Sequence, residues 1–416
     1  MIGAPPFLRL QEVKQLGFVY RIWPGAVHTR FEHSLGVYHL ALKALRVLWV
    51  RGDAAAAGVS GADLRVVWLA ALLHDVGHYP FSHAIEEIGG AVMPHEKVGR
   101  QVIEREPLAG ILEREAGVSP GDVADLIDPP PTGLPPARAL LRGLLSGALD
   151  VDKLDYLPRD ARACNVPYAG VDVARLMDAL RVVSTSAGYR LAVTEKGVSA
   201  LHSMVHARQE MFDNVYWHHT NRAMMAMLLR AVQDALLAGA LRPEALCGHD
   251  DHSLLVTLAA PRMPSSSRAL AAALSARRPH RGVLEVSVRA GGLWCRLDAL
   301  FADQGRRRAV EAALAGGLAR ALGRPVATHE VLIDIPKPEK WQMDVLVRFG
   351  EPPLGLEPVM SWSDVTGQQA ADLAKYERHQ RRIRVVAGDA LAVELRAKRE
   401  VLLVPALQAA LQACGA

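Results

Sequence analysis

The chain has 416 residues, a formal net charge of +4, half of its residues hydrophobic and only 5% aromatic. That length allows two domains or one large core with an appendage, and so small a charge excess does not by itself point to nucleic acid. No apolar run approaches the roughly 20 residues of a membrane span, and residues 1–6 have neither the basic flank nor the apolar stretch of a secretory signal. Cys164, Cys247, Cys295 and Cys414 are scattered without a CxxC pair, as expected for reduced thiols in a cytoplasmic protein. Abundant leucine, alanine and arginine favour a mainly α protein.

Residues 5–23 predict a short helix and then an extended aromatic segment stopped by Pro24-Gly25. A second helix is expected from His33 to about Val50, with Val37, Leu40, Ala41, Ala44, Leu45 and Leu48 on one face. Arg30 lies one turn before His33. Ser60 with Asp63 predicts a capping box for a buried helix ending at His74. Gly77 and Pro80 then stop it, and Ser82 is expected to cap a short helix carrying His83 and Glu86 on one face. Three histidines and one carboxylate thus crowd residues 74–83. A lone core histidine is usually just hydrogen-bonded. An adjacent His74-Asp75 pair at a buried helix end is different, because the carboxylate is costly to bury unless a cation or donor neutralises it.

His95-Glu96 follows Pro94, and residues 128–136 form a proline-rich loop. Asp150, Asp152, Asp155 and Asp160 then fall within eleven residues, interleaved with Leu149, Val151, Leu154 and Leu157. A charged turn in solvent is the plain alternative, but the apolar interleaving draws some of those carboxylates inward. Residues 201–229 predict a long helix with a polar lower half, either a pocket wall or an oligomer face. Beyond about residue 240 the pattern becomes α+β. Strands are expected at 283–288, 331–335 and 343–349, and a hairpin at 383–395. The basic runs Arg306-Arg307-Arg308 and 378–384 are read mainly as solvated faces, with nucleic-acid contact the less favoured reading.

Collected together, His33, His74, Asp75 and Asp152 offer two imidazoles and two carboxylates from three helices. Such mixed ligation suits Mn, Fe, Co, Ni or Zn without choosing among them. His78, His83, His95, Lys153, Arg30 and Arg208 surround the set with cationic side chains, which suits a polyphosphate.

These blocks resemble the HD-domain deoxynucleoside triphosphate triphosphohydrolases over roughly residues 7–222. The resemblance rests on Lys14-Gln15-Leu16-Gly17, Arg30-Phe31-Glu32-His33-Ser34-Leu35-Gly36, the run from His74 to His83, Pro94-His95-Glu96, and Asp150-Val151-Asp152-Lys153-Leu154-Asp155-Tyr156. It implies a helical HD core at 1–238, followed by a smaller α+β region at 239–416 for oligomerisation or regulation. It also implies a dimer or tetramer, and hydrolysis of a dNTP to a deoxynucleoside and tripolyphosphate. By motif, His33, His74, Asp75 and Asp152 would bind one divalent transition metal, with Mg a further bridge to the phosphates. His83 would be the general acid, supported by Glu86 where relatives often carry aspartate. His78 and His95 would hold the phosphates, with Arg30 on the α-phosphate and Lys153 and Arg208 further out. Gln15 and Asp160 would meet the 3′-hydroxyl, Leu16 the base, and Tyr156 would line the sugar pocket. Tyr216 would exclude a ribose. The guanine-activator positions of the vertebrate enzyme correspond to Gly3, Leu8 and Gln11, which lack its acid and arginine, so weak or absent activation by GTP is expected. No SAM domain is expected ahead of these blocks. The rival readings are an HD hydrolase acting on alarmones, dinucleoside polyphosphates or monophosphates, and a nucleotide- or nucleic-acid-binding regulator with little catalysis.

Overall fold

The computed structural model describes residues 1–90, 92–168, 170–339 and 344–416. Helices dominate, as their local signals require. Thr29 and Glu32 cap each other at the start of Arg30–Val50, and Ser60 and Asp63 do the same for Gly61–Leu73. In the first helix the residues at three- and four-residue spacing from Val37 to Leu48 are all buried. Asp150 begins Val151–Cys164 by accepting the Lys153 backbone N–H at 2.8 Å. These three helices and Val198–Met211 share one apolar core.

The next core is centred on His219–Leu237, packed against Asp251–Ala259 and Ser265–Ser275. Another lies between a small sheet and the helices Gln304–Leu322 and Val404–Ala413. Strands β1 (Leu180–Thr185) and β2 (Gly188–Thr194) form a hairpin. β3 is Arg281–Val286, β4 Val331–Asp334, β5 Leu346–Arg348, β6 Val359–Ser361 and β7 Ile383–Ala387. They form one sheet of order β1-β2-β5-β6 and another of order β3-β7-β4. The first draws strands from both sides of residue 238, with β2 parallel to β5. Among the described residues no helix is long and apolar enough to cross a membrane.

Several expectations are corrected. Residues 18–20, read as extended, lie in the 3-10 helix Gly17–Arg21, with Phe18 stacked on Phe81 at 4.3 Å. Ser82 does not cap the turn Ser82–Ile88, because its hydroxyl is directed at the carbonyls of Lys14 and Gln15. Residues 201–229 are not one helix: a π turn, Phe212–Tyr216, separates Val198–Met211 from His219–Leu237. The hairpin expected at 383–395 is strand β7 followed by the helix Asp389–Ala397, whose leucines pack on the sheet. The strand expected at 343–349 is the shorter β5, and Met343 lies outside the described residues. Much of the basic runs is spent internally. Arg307 is buried, Arg308 pairs with Asp234, Arg381 with Asp298 and Arg384 with Glu285.

Candidate active site

Two clusters of titratable side chains meet at Asp75. In the first, the end of Gly61–Leu73 presents His74 and Asp75, Arg30–Val50 presents His33, and Val151–Cys164 presents Asp152. Donor atoms of His33, His74 and Asp75 lie within 4.8 Å of one another. Asp152 Oδ1 adds a fourth, 2.9 Å from His33 Nε2 and 3.9 Å from His74 Nε2. The outer nitrogens fix the tautomers: His33 Nδ1–H donates to Asp155 Oδ2 at 2.8 Å, and His74 Nδ1–H to the Ala71 carbonyl at 2.9 Å. Both rings therefore aim Nε2 inward, as metal-ligating histidines do.

The buried Nε2 of His74 has no hydrogen-bond partner of its own. The pocket also has acid to spare. Burial disfavours a charged His33, yet Asp152 and Asp155 overcome it and lift its pKa to about 10. An orphaned nitrogen lone pair beside the carboxylates of Asp75 and Asp152 fits a divalent cation. Arg30 Nη1 donates to Asp75 Oδ2 at 2.5 Å and Arg30 Nε to Ser82 Oγ at 3.0 Å, so this buried arginine orients the Asp75 carboxylate.

The second cluster is His78, His83, Glu86 and His95, again with donor atoms within 4.8 Å of one another. His78 Nε2 lies 3.2 Å from Asp75 Oδ1, which joins the two groups. Glu86 holds His95 through its backbone N–H at 2.8 Å and Nδ1–H at 2.6 Å, and His83 through Nδ1–H at 3.0 Å. Burial opposes ionisation of Glu86, but His83 and His95 outweigh it and hold the carboxyl far below the usual range. His78 and His95 stack at 3.8 Å with opposite tendencies. Burial, Arg30 and His95 push His78 well down, while Glu86 raises His95 against its burial. Environment thus pushes the two stacked rings in opposite directions, His78 toward the neutral form and His95 toward the protonated one. His83 is the exposed member, its side chain 63% accessible, and it lines the cavity.

That cavity, of about 850 Å³, collects most of the remaining expected residues: Gln15, Leu16, Arg30, Asp152, Lys153, Tyr156, Asp160, Arg208 and Tyr216. The polar segment at 201–229 is thus a pocket wall. Gln15 Oε1 is buried there without a partner. The Tyr216 hydroxyl donates to Asp160 Oδ2 at 2.7 Å. Lys153 is turned to Asp150 and the Gly147 carbonyl, and Arg208 meets Glu339 at 2.9 Å.

Sequence reasoning missed Asp155, which orients His33, and His28, whose Nε2 lies 2.8 Å from Asp160 Oδ1. Both carried a signal: Asp155 follows Asp152 by one helical turn, and His28 stands just ahead of the Arg30 block. Phe301, Gln304, Lys337 and Glu339, which also line the cavity, carried none.

Fold and site define a helical protein that brings a His/Asp metal-type centre and a histidine–glutamate cluster to one cavity. The HD domain model matches residues 30–159, and the model described as the HD associated region matches residues 171–400. The chain therefore belongs to the HD-domain hydrolase superfamily, in the group carrying that associated region. An uncharacterized protein of Methanocaldococcus jannaschii is 31% identical over 256 residues, 61% of this chain and 50% of that protein. The deoxynucleoside triphosphate triphosphohydrolase SAMHD1 of Gallus gallus is 30% identical over 265 residues, 56% of this chain and 42% of the relative. The chain spans about half the length of the curated relatives it matches. In fold it matches a hypothetical protein of Aquifex aeolicus at a TM-score of 0.70 and 24% identity, covering 96% of this chain and 94% of the other. A phosphohydrolase of Bacteroides thetaiotaomicron matches at 0.67 and 21%, covering 93% and 94%.

Proposed function

We propose that this chain is a metal-dependent phosphohydrolase that cleaves a dNTP to a deoxynucleoside and inorganic tripolyphosphate. The observation that carries it is the bridge at Asp75 between a His/Asp set that could hold a cation and a histidine–glutamate cluster, both beside a cavity with sugar- and phosphate-type groups. His33, His74, Asp75 and Asp152 would hold the metal. A divalent ion bound there supplies Lewis acidity toward a phosphate oxygen and lowers the pKa of a bound water.

The chain's own groups do the rest. His83, fixed at Nδ1 by Glu86, gives a proton to the departing 5′-oxygen. His95, whose hold on a proton Glu86 strengthens, donates to the phosphate, and His78 packs beneath it. Arg30 reaches the α-phosphate edge, and Lys153 and Arg208 take the distal charges. Gln15 Oε1 accepts from the 3′-hydroxyl, which would satisfy its buried lone pair, and Asp160 shares that contact. Leu16 faces the base and Tyr156 lines the sugar. Tyr216, pinned by Asp160, leaves no room for a 2′-hydroxyl. A homo-oligomer and a Mg ion bridging the phosphates belong to the same reading, which also has GTP activating weakly or not at all.

The test is metal analysis of the purified protein, then a four-dNTP panel with chromatographic identification of both products. Tripolyphosphate and a deoxynucleoside are expected, and chelation should abolish turnover. Release of pyrophosphate or orthophosphate instead would assign the site to another nucleotide.

A further inference from the structure

The HD associated region supplies part of the cavity wall. Lys337 and Glu339, on the irregular run that follows β4, both line the cavity, while Pro338 between them does not. Lys337 precedes a proline, which drives it to an extended conformation, and residues two apart in extended chain share a side. The run is anchored repeatedly. Asp334 at the end of β4 accepts from Arg222 at 2.7 Å, the Pro336 carbonyl from Arg381 at 3.1 Å, and Glu377 from the Glu339 backbone N–H at 3.1 Å.

So fixed, Glu339 Oε2 receives Arg208 Nη2 at 2.9 Å. Arg208 is largely buried, with its guanidinium 5.2 Å above the Phe212 ring. A guanidinium in such a wall is costly unless an anion meets it. Burial works against its charge, and Tyr156 and Glu339 together restore it. Among the described residues no carboxylate pairs with Lys337, the residue that shares Glu339's side of the run.

We propose that Glu339 is an internal stand-in for a substrate phosphate on Arg208, and that Lys337 is a further polyphosphate-binding residue. The pair makes the associated region a reader of phosphate-chain length. The inference rests on the reading of the cavity as a polyphosphate site. A chain of three phosphates brings enough charge to displace the Glu339 carboxylate from Arg208 and still reach Lys337. A single phosphate does not, so the carboxylate acts against short anions while the lysine favours long ones.

Titration calorimetry of the metal-loaded protein tests this, with inorganic tripolyphosphate and orthophosphate as probes. Lys337→Gln should weaken tripolyphosphate about threefold to fivefold, the upper span of one exposed charge contact, and leave orthophosphate unchanged. Glu339→Gln should tighten both, orthophosphate more, so that selectivity for the longer anion falls about tenfold. If the wild type binds tripolyphosphate and both variants bind the two anions as it does, this inference is overturned and the cavity reading stands. If the wild type binds no tripolyphosphate, the cavity reading falls and takes the inference with it. Circular dichroism of both variants, each altered at the cavity wall, confirms that the comparison is between folded proteins.

Discussion

His33 shows how a single side chain is prepared at this site. Its Nδ1–H is taken by Asp155, itself held by Arg159 at 2.7 and 2.8 Å, so ring orientation and tautomer are set from outside the cavity. Asp155→Asn keeps the shape but loses the charge and lets an amide N–H face the ring. Metal affinity should drop about 10- to 100-fold, as for other outer partners of ligating histidines. Metal content after dialysis against a graded chelator checks this; an unchanged affinity would reduce Asp155 to a packing residue. Glu86 holds both His83 and His95, so one carboxylate spans both contacts.

At the scale of elements, the site depends on how closely two backbones approach. The turn after His74-Asp75 touches the helix His95–Ile103 through Gly77. A Cβ there would stand 2.2 Å from both the Gly99 nitrogen and the His95 carbonyl oxygen. Neither backbone atom can rotate away. Gly77→Ala should therefore push the helix off the turn and pull His95 away from His78, with a stability loss of about 1–3 kcal/mol. Turnover should fall about 100-fold, the scale expected for a displacement of order 1 Å at a reacting group. Paired thermal melts and rate measurements decide it. Full activity at wild-type Tm would mean that the His78–His95 stack is not needed. Phe81 and Ser82, both at positive φ, belong to the same constraint: the turn must double back to place His83 over the cavity.

Across the whole molecule, the histidine-rich turn is held by residues far along the chain. Arg222 joins Glu87 at 2.9 Å to Asp334 at 2.7 Å, with Arg222 and Asp334 buried, and so ties the turn to β4. Asp251 accepts the Phe81 N–H at 2.7 Å and the Lys14 N–H at 3.0 Å, linking three distant segments. Burial lifts its carboxyl to about 6 despite the opposing pull of those two N–H groups. The native state then holds this proton more tightly than the unfolded chain. The Asp251 contribution is thus complete below about pH 4 and is lost as pH rises through 6, by of order 2–3 kcal/mol. Asp251→Asn should remove that slope, and urea unfolding of both proteins at pH 4.5, 5.5 and 6.5 measures it. Parallel curves would show that Asp251 titrates normally.

The sequence by itself determined what short-range chemistry can carry. The capping box at Ser60, the apolar spacing from Val37 to Leu48, and the His74-Asp75 pair act within a turn or two of chain, so their residue types suffice to read them. The same holds for the acid cluster at 150–160, although which acid faces inward and which supports His33 follows from how two helices cross. Only the tertiary structure decided that Ser82 serves the carbonyls of Lys14 and Gln15, that Asp251 pins Phe81, and that Lys337 and Glu339 enter the same cavity as Gln15 and Arg30. Each of these contacts joins residues with no local pattern to announce them. Their partners are fixed by packing, and packing is a property of the whole chain.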